Sequence, residues 1–145
     1  MTGKNVVFAV LDTNVLVSAQ LKLDSVPRKI LTHALTGTII PIINDGIFAE
    51  YDDVLRRPKL KLATHAVDKL FAALRKVSVT LAAGDATVPR EHMPDADDAV
   101  FYATALASRA AGNATYLVTG NLRHFPQEDF IVSPRAMLDI IGRSA

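Results

Sequence analysis

Apolar runs alternate with helix-like stripes along this chain, which is the pattern of a parallel β-sheet covered by helices. The first run, Val6–Leu11, is apolar throughout, as expected for a strand that is buried on both faces. Similar runs predict four more strands, at Ile39–Ile43, Val77–Leu81, Thr115–Thr119 and Phe130–Val132. The sequence therefore predicts an α/β protein with a five-stranded, mainly parallel sheet.

Stripes of apolar residues spaced three and four positions apart predict helices between these strands. Pro27 marks the first turn of one helix and Gly37 its end. Asn44 or Asp45 can cap the next helix, which Pro58 stops. Further helices are predicted near Val15, on the stripe from Val67 to Val77, on the nearly all-apolar segment Ala99–Ala111, and after Ser133 and Pro134; Ala82–Pro94 is the longest irregular loop.

Composition limits the classes of function that the chain can have. With 145 residues, half of them apolar, residues 1–145 are expected to form one domain. The net charge of +1 provides no global field for a polyanion, and the absence of cysteine excludes a thiolate nucleophile and a cysteine-based zinc site. No segment has the length of a signal-peptide core or a membrane span, so we expect a cytoplasmic protein without a membrane partner.

Acidic residues stand where apolar segments end or helices begin. Asp12 directly follows the first predicted strand, Asp95, Asp97 and Asp98 precede the apolar helix, and Glu50 lies in the helix after Asn44. Strand ends in open α/β folds meet at the edge where ligands bind. Carboxylates gathered there repel each other and raise one another's pKa unless a cation joins them. The pattern therefore indicates a site for a hard divalent metal ion.

Each acid also has a structural interpretation. Asp12 could cap the helix that follows it, although Asn14 could do this equally well and leave Asp12 free for chemistry. The acids before the apolar helix could cap it and compensate its dipole. Glu50 lies just off the apolar stripe of its helix and Asp52 flanks the other edge, so position alone does not choose between them. The three acidic points together favour a chemical site.

Four short segments carry a family resemblance. The stretch Leu11–Ala19 resembles the opening motif of PIN-domain ribonucleases, most closely that of the toxin components of toxin–antitoxin pairs. Pro94–Asp98 is similar to the third acidic motif of that group and Tyr116–Asn121 to the fourth, while Glu50 falls where the second acid is expected. The resemblance spans nearly the whole chain. It implies a three-layer α/β/α sandwich in which the first and fourth strands are neighbours.

The same resemblance implies roles for individual residues. Asp12 and Asp98 would ligate Mg²⁺ or Mn²⁺ directly, Glu50 would complete the acidic pocket and Asp95 would be an accessory acid. Asn14 and Thr119 would support the primary acids through hydrogen bonds. Asn121 stands where the family often has an aspartate, and its neutral amide removes one negative charge. This departure would either weaken a second metal site or leave a one-metal site that takes further ligands from substrate phosphate.

The implied reaction is hydrolysis of an RNA phosphodiester by metal-activated water. We expect Arg123 and His124, which lie beside Asn121, to bind substrate, although His124 could instead be a structural hydrogen-bond donor. The basic run after the Glu50 helix is better interpreted as a solvated helix end than as an RNA groove; its residues are Arg56, Arg57, Lys59 and Lys61. The resemblance also implies a small antitoxin as partner and a homodimer.

Two other classes of function remain open at this point. A haloacid-dehalogenase-type phosphatase would use Asp12 as a nucleophile, but it usually has a second acid where Asn14 stands, and no lysine motif is suitably placed. A nonenzymatic RNA- or protein-binding module could keep the fold while losing metal affinity through Asn121. Metal titration separates this module from an enzyme, and trapping of an aspartyl-phosphate on Asp12 would identify the phosphatase.

Overall fold

The structure is a computed structural model that describes residues 6–82 and 96–144. In this part of the chain, five strands form one sheet in which every neighbouring pair is parallel. They are β1 (Val7–Leu11), β2 (Ile39–Ile43), β3 (Val79–Thr80), β4 (Thr115–Val118) and β5 (Ile131–Val132). Their order across the sheet is β3-β2-β1-β4-β5.

Helices flank this sheet and complete a three-layer α/β/α sandwich, which confirms the predicted fold class. They are α1 (Thr13–Leu21), α2 (Val26–Thr36), α3 (Asp45–Leu55), α4 (Thr64–Val77), α5 (Ala96–Ala110) and α6 (Pro134–Ser144), with short 3₁₀ turns at Pro58–Leu60 and Leu122–His124. None of the helices in the described residues combines the length and the apolar character needed to cross a bilayer.

The strand β1 lies at the centre of the sheet and of the core. Ala9, Val10 and Leu11 are buried, because β2 and β4 flank β1 and helices cover it. In the register between β1 and β4, Leu11 is opposite Val118. The first and fourth strands are therefore neighbours, as the resemblance implied, and the residues that follow them emerge side by side at the carboxyl edge.

Local signals set the helix ends much as the sequence predicts. Ser25 caps α2, and Gly37 ends it with φ of +95°, a left-handed conformation that glycine adopts without strain. Of the two candidates for capping α3, Asn44 does so, since its Oδ1 accepts a hydrogen bond from the Ile47 backbone N–H at 2.9 Å. Ser133 Oγ accepts from the Ala136 N–H in the same way at the start of α6.

Some predicted bounds are wrong. The predicted third strand began at Val77, but α4 continues through that residue and β3 is a two-residue edge strand with both side chains exposed. The helix α5 begins at Ala96, three residues before the predicted start at Ala99. The predicted loop Ala82–Pro94 lies, apart from Ala82, outside the described residues.

Candidate active site

A cavity of about 300 Å³ opens where β1 and β4 end. We call it the acid cavity, because Asp12, Glu50, Asp97 and Asp98 all line it, together with Asn14, Asn121 and His124. Three of the four acids expected to share one pocket are therefore brought together. The fourth, Asp95, lies outside the described residues.

Asp12 is the most constrained acid of the cavity. It is 4% exposed and its Oδ1 accepts a hydrogen bond from the Thr13 backbone N–H at 2.8 Å. Its Oδ2 accepts from Thr119 Oγ1 at 2.7 Å and from Asn14 Nδ2 at 3.1 Å. Of the two candidates for capping α1, Asp12 does so. Asn14 lies inside the helix, which begins at Thr13 rather than near Val15.

A hydrogen-bonded bridge joins the end of β1 to the end of β4. Asn14 Oδ1 accepts from the Gly120 N–H at 3.0 Å, while Thr119 Oγ1 accepts from the Asn121 N–H at 2.9 Å. The Gly120 backbone approaches Asn14 so closely that a Cβ there would lie 3.3 Å from the amide oxygen. Because Asn14 and Thr119 also donate to Asp12, the bridge holds the Asp12 carboxylate between the two strand ends.

Burial raises the pKa of the Asp12 carboxyl above its ordinary value of 3.8. The hydrogen bonds from Thr119 and Thr13, the charge of His124 and the hydrogen bond from Asn14 oppose that rise. Burial and the negative charge of Asp12 raise the pKa of Tyr51, whose hydroxyl donates to the Leu11 carbonyl at 2.6 Å. Burial therefore causes the rise in the pKa of Asp12, and the mutual repulsion of the clustered carboxylates stays a prediction.

The structure distinguishes Glu50 from Asp52. Glu50 is half-buried and lines the acid cavity. Asp52 is exposed, bonds Arg56 at 2.6 Å and lines a separate cavity beside α4. Glu50 therefore lies with Asp12 in the acid cavity, whereas Asp52 belongs to a surface ion pair.

A buried polar contact fixes α3 against α5, which carry Glu50 and Asp98. Asn44 Nδ2 donates to Thr104 Oγ1 at 2.8 Å and to the Leu81 carbonyl at 3.1 Å. In the first turn of α5, the Asp98 side chain is 16% exposed. Its Oδ2 lies 3.6 Å from Nδ1 of His124, a contact that is an ion pair only when His124 is protonated.

The two residues that we expect to bind substrate line different cavities. His124 lines the acid cavity, but Arg123 lines a neighbouring cavity of about 780 Å³ with Leu122 and Phe125. Arg57, which belongs to the basic run interpreted as a solvated helix end, lines the acid cavity. A signal for it existed in the sequence: Arg57 immediately precedes Pro58 and follows Asp53 by four residues.

The donor set suits a hard divalent cation. Carboxylate and amide oxygens are the ligands that Mg²⁺ and Mn²⁺ prefer, and the acid cavity presents both kinds. Within the described residues, no three histidine or acidic side chains are grouped tightly enough to form a ready-made metal site. Mg²⁺ commonly keeps several of its waters, so a cation held partly through water fits these residues.

Comparison with known proteins gives one family. The PIN domain matches residues 9–123, which is most of the chain and includes Asp12, Glu50, Asp98 and Asn121. No curated protein and no solved structure matches significantly. PIN domains are generally nucleases that use divalent metal ions. With this match and a five-stranded parallel sheet between helices, the chain belongs to the PIN-domain family.

Proposed function

We propose that the protein is a Mg²⁺- or Mn²⁺-dependent endoribonuclease and the toxin of a toxin–antitoxin pair. The observation that carries the nuclease proposal is the convergence of Asp12, Glu50 and Asp98 on one cavity at the carboxyl edge of a PIN-domain sheet. Support for the toxin role comes from the resemblance of Leu11–Ala19 to the opening motif of such toxins. RNA, a small antitoxin and a second copy of the chain would then be its partners in the cytoplasm.

Asp12, Glu50 and Asp98 would hold the cation. When bound, the cation supplies an activated water, polarises a phosphoryl oxygen and offsets developing negative charge. Thr119 and Asn14 restrain Oδ2 of Asp12 through two hydrogen bonds, so the carboxylate keeps its orientation without rearrangement. His124 would contact the RNA phosphate beside Asp98.

The size of the acid cavity agrees with this proposal. Its volume is about 300 Å³. A hydrated cation and one phosphate group fit in that space. A whole nucleotide need not enter, which suits cleavage of a chain that lies across the cavity.

Cleavage of a mixed single-stranded RNA pool, with Mg²⁺ or Mn²⁺, tests the nuclease proposal. Asp12→Asn and Asp98→Asn should reduce cleavage by at least about a hundredfold, since each removes a proposed charged ligand. Asp52→Asn is the matched control: it makes the same chemical change on α3, but at a residue that lines a different cavity. It should cleave like wild type.

Three outcomes would contradict the proposed nuclease function. If Asp12→Asn cleaves as fast as wild type, the nuclease proposal is wrong. If wild type cleaves no RNA at any metal concentration, the nonenzymatic binding module is the better description. An aspartyl-phosphate trapped on Asp12 would indicate a phosphatase, although family membership argues against that class.

Growth of a bacterial host tests the toxin role separately. Induced expression of wild type should arrest growth, and Asp12→Asn should not. Co-expression of the adjacent open reading frame should restore growth if it encodes the antitoxin. If the protein cleaves RNA but leaves growth unchanged, the nuclease proposal stands and the toxin role is wrong. Sedimentation analysis separately tests whether the chain is a homodimer.

A further inference from the structure

Arg57 is a residue of the acid cavity to which the proposed function gives no role. Among the described residues that line this cavity, it is the only lysine or arginine. It therefore shares a cavity with Asp12 and Asp98, the acids that would hold the cation. A phosphodiester is repelled by such acids unless positive groups meet its own oxygens.

The backbone at Arg57 is set by the proline that follows it. Pro58 disfavours the helical conformation for the preceding residue, and Arg57 is extended, with φ of −66° and ψ of 131°. Because α3 ends at Leu55, Arg57 departs from the helix instead of lying on its last turn. Arg57 therefore differs from an ordinary cation at a helix C-terminus, which lies on the last turn of its helix.

Asp53 holds the guanidinium of Arg57 while leaving most of its donors available. Arg57 Nη2 donates to Asp53 Oδ2 at 2.8 Å. A guanidinium carries five N–H donors, and this bond occupies one of them. The Arg57 side chain is 45% exposed, so an incoming anion can reach it. A planar guanidinium held in this way suits a phosphate group, which it can bind through two parallel hydrogen bonds.

Arg56, one residue earlier, provides a comparison within the same chain. Its guanidinium donates to Asp52 and Asp68 and lies 5.6 Å from the centroid of the Phe71 ring. It lines the cavity between α3 and α4, away from the acid cavity. Arg56 thus links two helices, whereas Arg57 adds positive charge to the acid cavity.

We infer that Arg57 binds a phosphate of the RNA at the acid cavity, as a substrate-binding residue beside the acids. This inference rests on the proposed nuclease function and adds to it a specific anion contact. The alternative is that Arg57 only pairs with Asp53 and compensates the α3 dipole. Exposed pairs of this kind contribute little to stability, so that alternative predicts no change in RNA binding when Arg57 is replaced.

Fluorescence anisotropy with a labelled single-stranded RNA tests the inference in proteins that also carry Asp12→Asn, which keeps the RNA intact. Arg57→Gln should raise the Kd by roughly tenfold to a hundredfold, the range of one charge-assisted hydrogen-bonded contact. The slope of log Kd against log salt concentration should fall by about 0.7, as for one lost phosphate contact on a single strand. Arg57→Lys should retain part of the affinity.

Arg56→Gln is the matched control and should leave the Kd and the salt slope unchanged. Without the Asp12 substitution, Arg57→Gln should raise the KM for cleavage by a factor similar to its effect on Kd. Equal Kd values and equal salt slopes for Arg57→Gln and its parent would overturn the inference, as would an equal loss in Arg56→Gln. A wild type that binds RNA in an Arg57-dependent way without cleaving it would overturn the nuclease proposal but leave the phosphate contact in place.

Discussion

At the residue scale, Asp12 combines two structural roles with its proposed chemical one. Its Oδ1 caps α1, and its Oδ2 receives the hydrogen bonds of Thr119 and Asn14. These contacts do not fully offset the loss of hydration, because burial still raises the pKa of the carboxyl. The ionised form of Asp12 is therefore less favourable in the folded protein than in the unfolded chain. A bound divalent cation would remove this penalty.

The raised pKa of Asp12 predicts how the stability of the metal-free protein changes with pH. The unfolded chain loses its proton near the ordinary value of 3.8, while the folded protein keeps it to higher pH. This contribution to stability is therefore fully present below the unfolded pKa and is lost as pH rises through the folded pKa. Each unit of difference between the two pKa values corresponds to about 1.4 kcal/mol.

Urea denaturation in a chelating buffer, from about pH 4 upwards, measures this dependence. Asp12→Asn removes the titrating group, so the free energy of unfolding of wild type relative to the variant should fall as pH rises. At neutral pH, a divalent cation should raise the free energy of unfolding of wild type but not that of the variant. If the free energies of unfolding of the two proteins change with pH in parallel, the burial of Asp12 does not cause the pH dependence.

Some residues of the site could be predicted from sequence and others could not. Asp12 could be predicted as a site residue because it directly follows an apolar run, and Asp98 because it precedes an apolar helix segment. Glu50 and Asp52 flank the same stripe of α3, so only packing could distinguish them: one lies at the acid cavity and the other on an ion pair with Arg56. Arg57 was missed because a basic helix end is normally a solvated surface without a role in a site, whereas Arg57 leaves the helix before Pro58 and lines the acid cavity.

At the element scale, the position of α3 against α5 determines where Glu50 and Asp98 lie relative to each other in the acid cavity. The two helices are joined by the bond from Asn44 to Thr104 and by a close approach at Gly46. A Cβ at Gly46 would lie 2.9 Å from Cγ2 of Val100, which is shorter than normal contact. Valine is stiff at χ1, so this contact has little freedom to relax. Glycine at this position therefore permits the spacing of the two helices.

A double-mutant cycle tests the contact between Gly46 and Val100. Gly46→Ala alone should destabilise the protein and reduce RNA cleavage, because α3 must move away from α5. In the Val100→Ala background the same substitution should be neutral or stabilising, by at most about 1 kcal/mol, since alanine is the better helix former. Thermal unfolding and cleavage assays of the four proteins give the coupling between the residues.

If the side chain of Val100 sets the helix spacing, the effect of Gly46→Ala must differ between the two backgrounds. Equal destabilisation with and without Val100→Ala would show that the side chain of Val100 does not set the helix spacing. Ala49→Gly, at another α3 position, should cost stability in both backgrounds, because it lowers helix propensity without entering this contact.

Whether a segment is a helix or a strand could be predicted from the sequence more reliably than its first and last residues. The burial of β1 and the caps at Ser25 and Asn44 agree with elementary rules for apolar runs and capping residues. Val77 was included both in the third predicted strand and in the apolar stripe that begins at Val67, and in the structure it belongs to the helix α4. The bound of α5 was misjudged because its first turn is polar and acidic.

At the scale of the whole molecule, the strand order brings together residues that are far apart in sequence. Thr119 bonds Asp12 across 107 positions, and Gly120 bonds Asn14 across 106. Apolar periodicity predicts which segments are strands but not which strands are neighbours. The pairing of β1 with β4 was expected only through the family resemblance, and the parallel register then places both strand ends at the acid cavity.

Asn121 contributes a neutral amide to the acid cavity where the family often has a carboxylate. We expect weak cation binding by the free protein and cleavage that needs Mg²⁺ on the order of millimolar, because an amide in place of a carboxylate lowers the charge of the ligand set. Asn121→Asp should bind Mn²⁺ more tightly. Because a ligand that binds only the folded state stabilises by RT ln(1 + [L]/Kd), a tenfold lower Kd adds about 1.4 kcal/mol at saturation.

Thermal unfolding across a Mn²⁺ titration measures this difference directly. The Tm of Asn121→Asp should rise at lower Mn²⁺ concentration than that of wild type, and Asp98→Asn should respond least. Asp52→Asn should follow wild type, since its charge lies on another cavity. If all four proteins respond equally, the cation stabilises the fold from elsewhere. A selective response in Asn121→Asp would instead mean that one amide limits the metal affinity of a site whose other oxygen ligands are already in position.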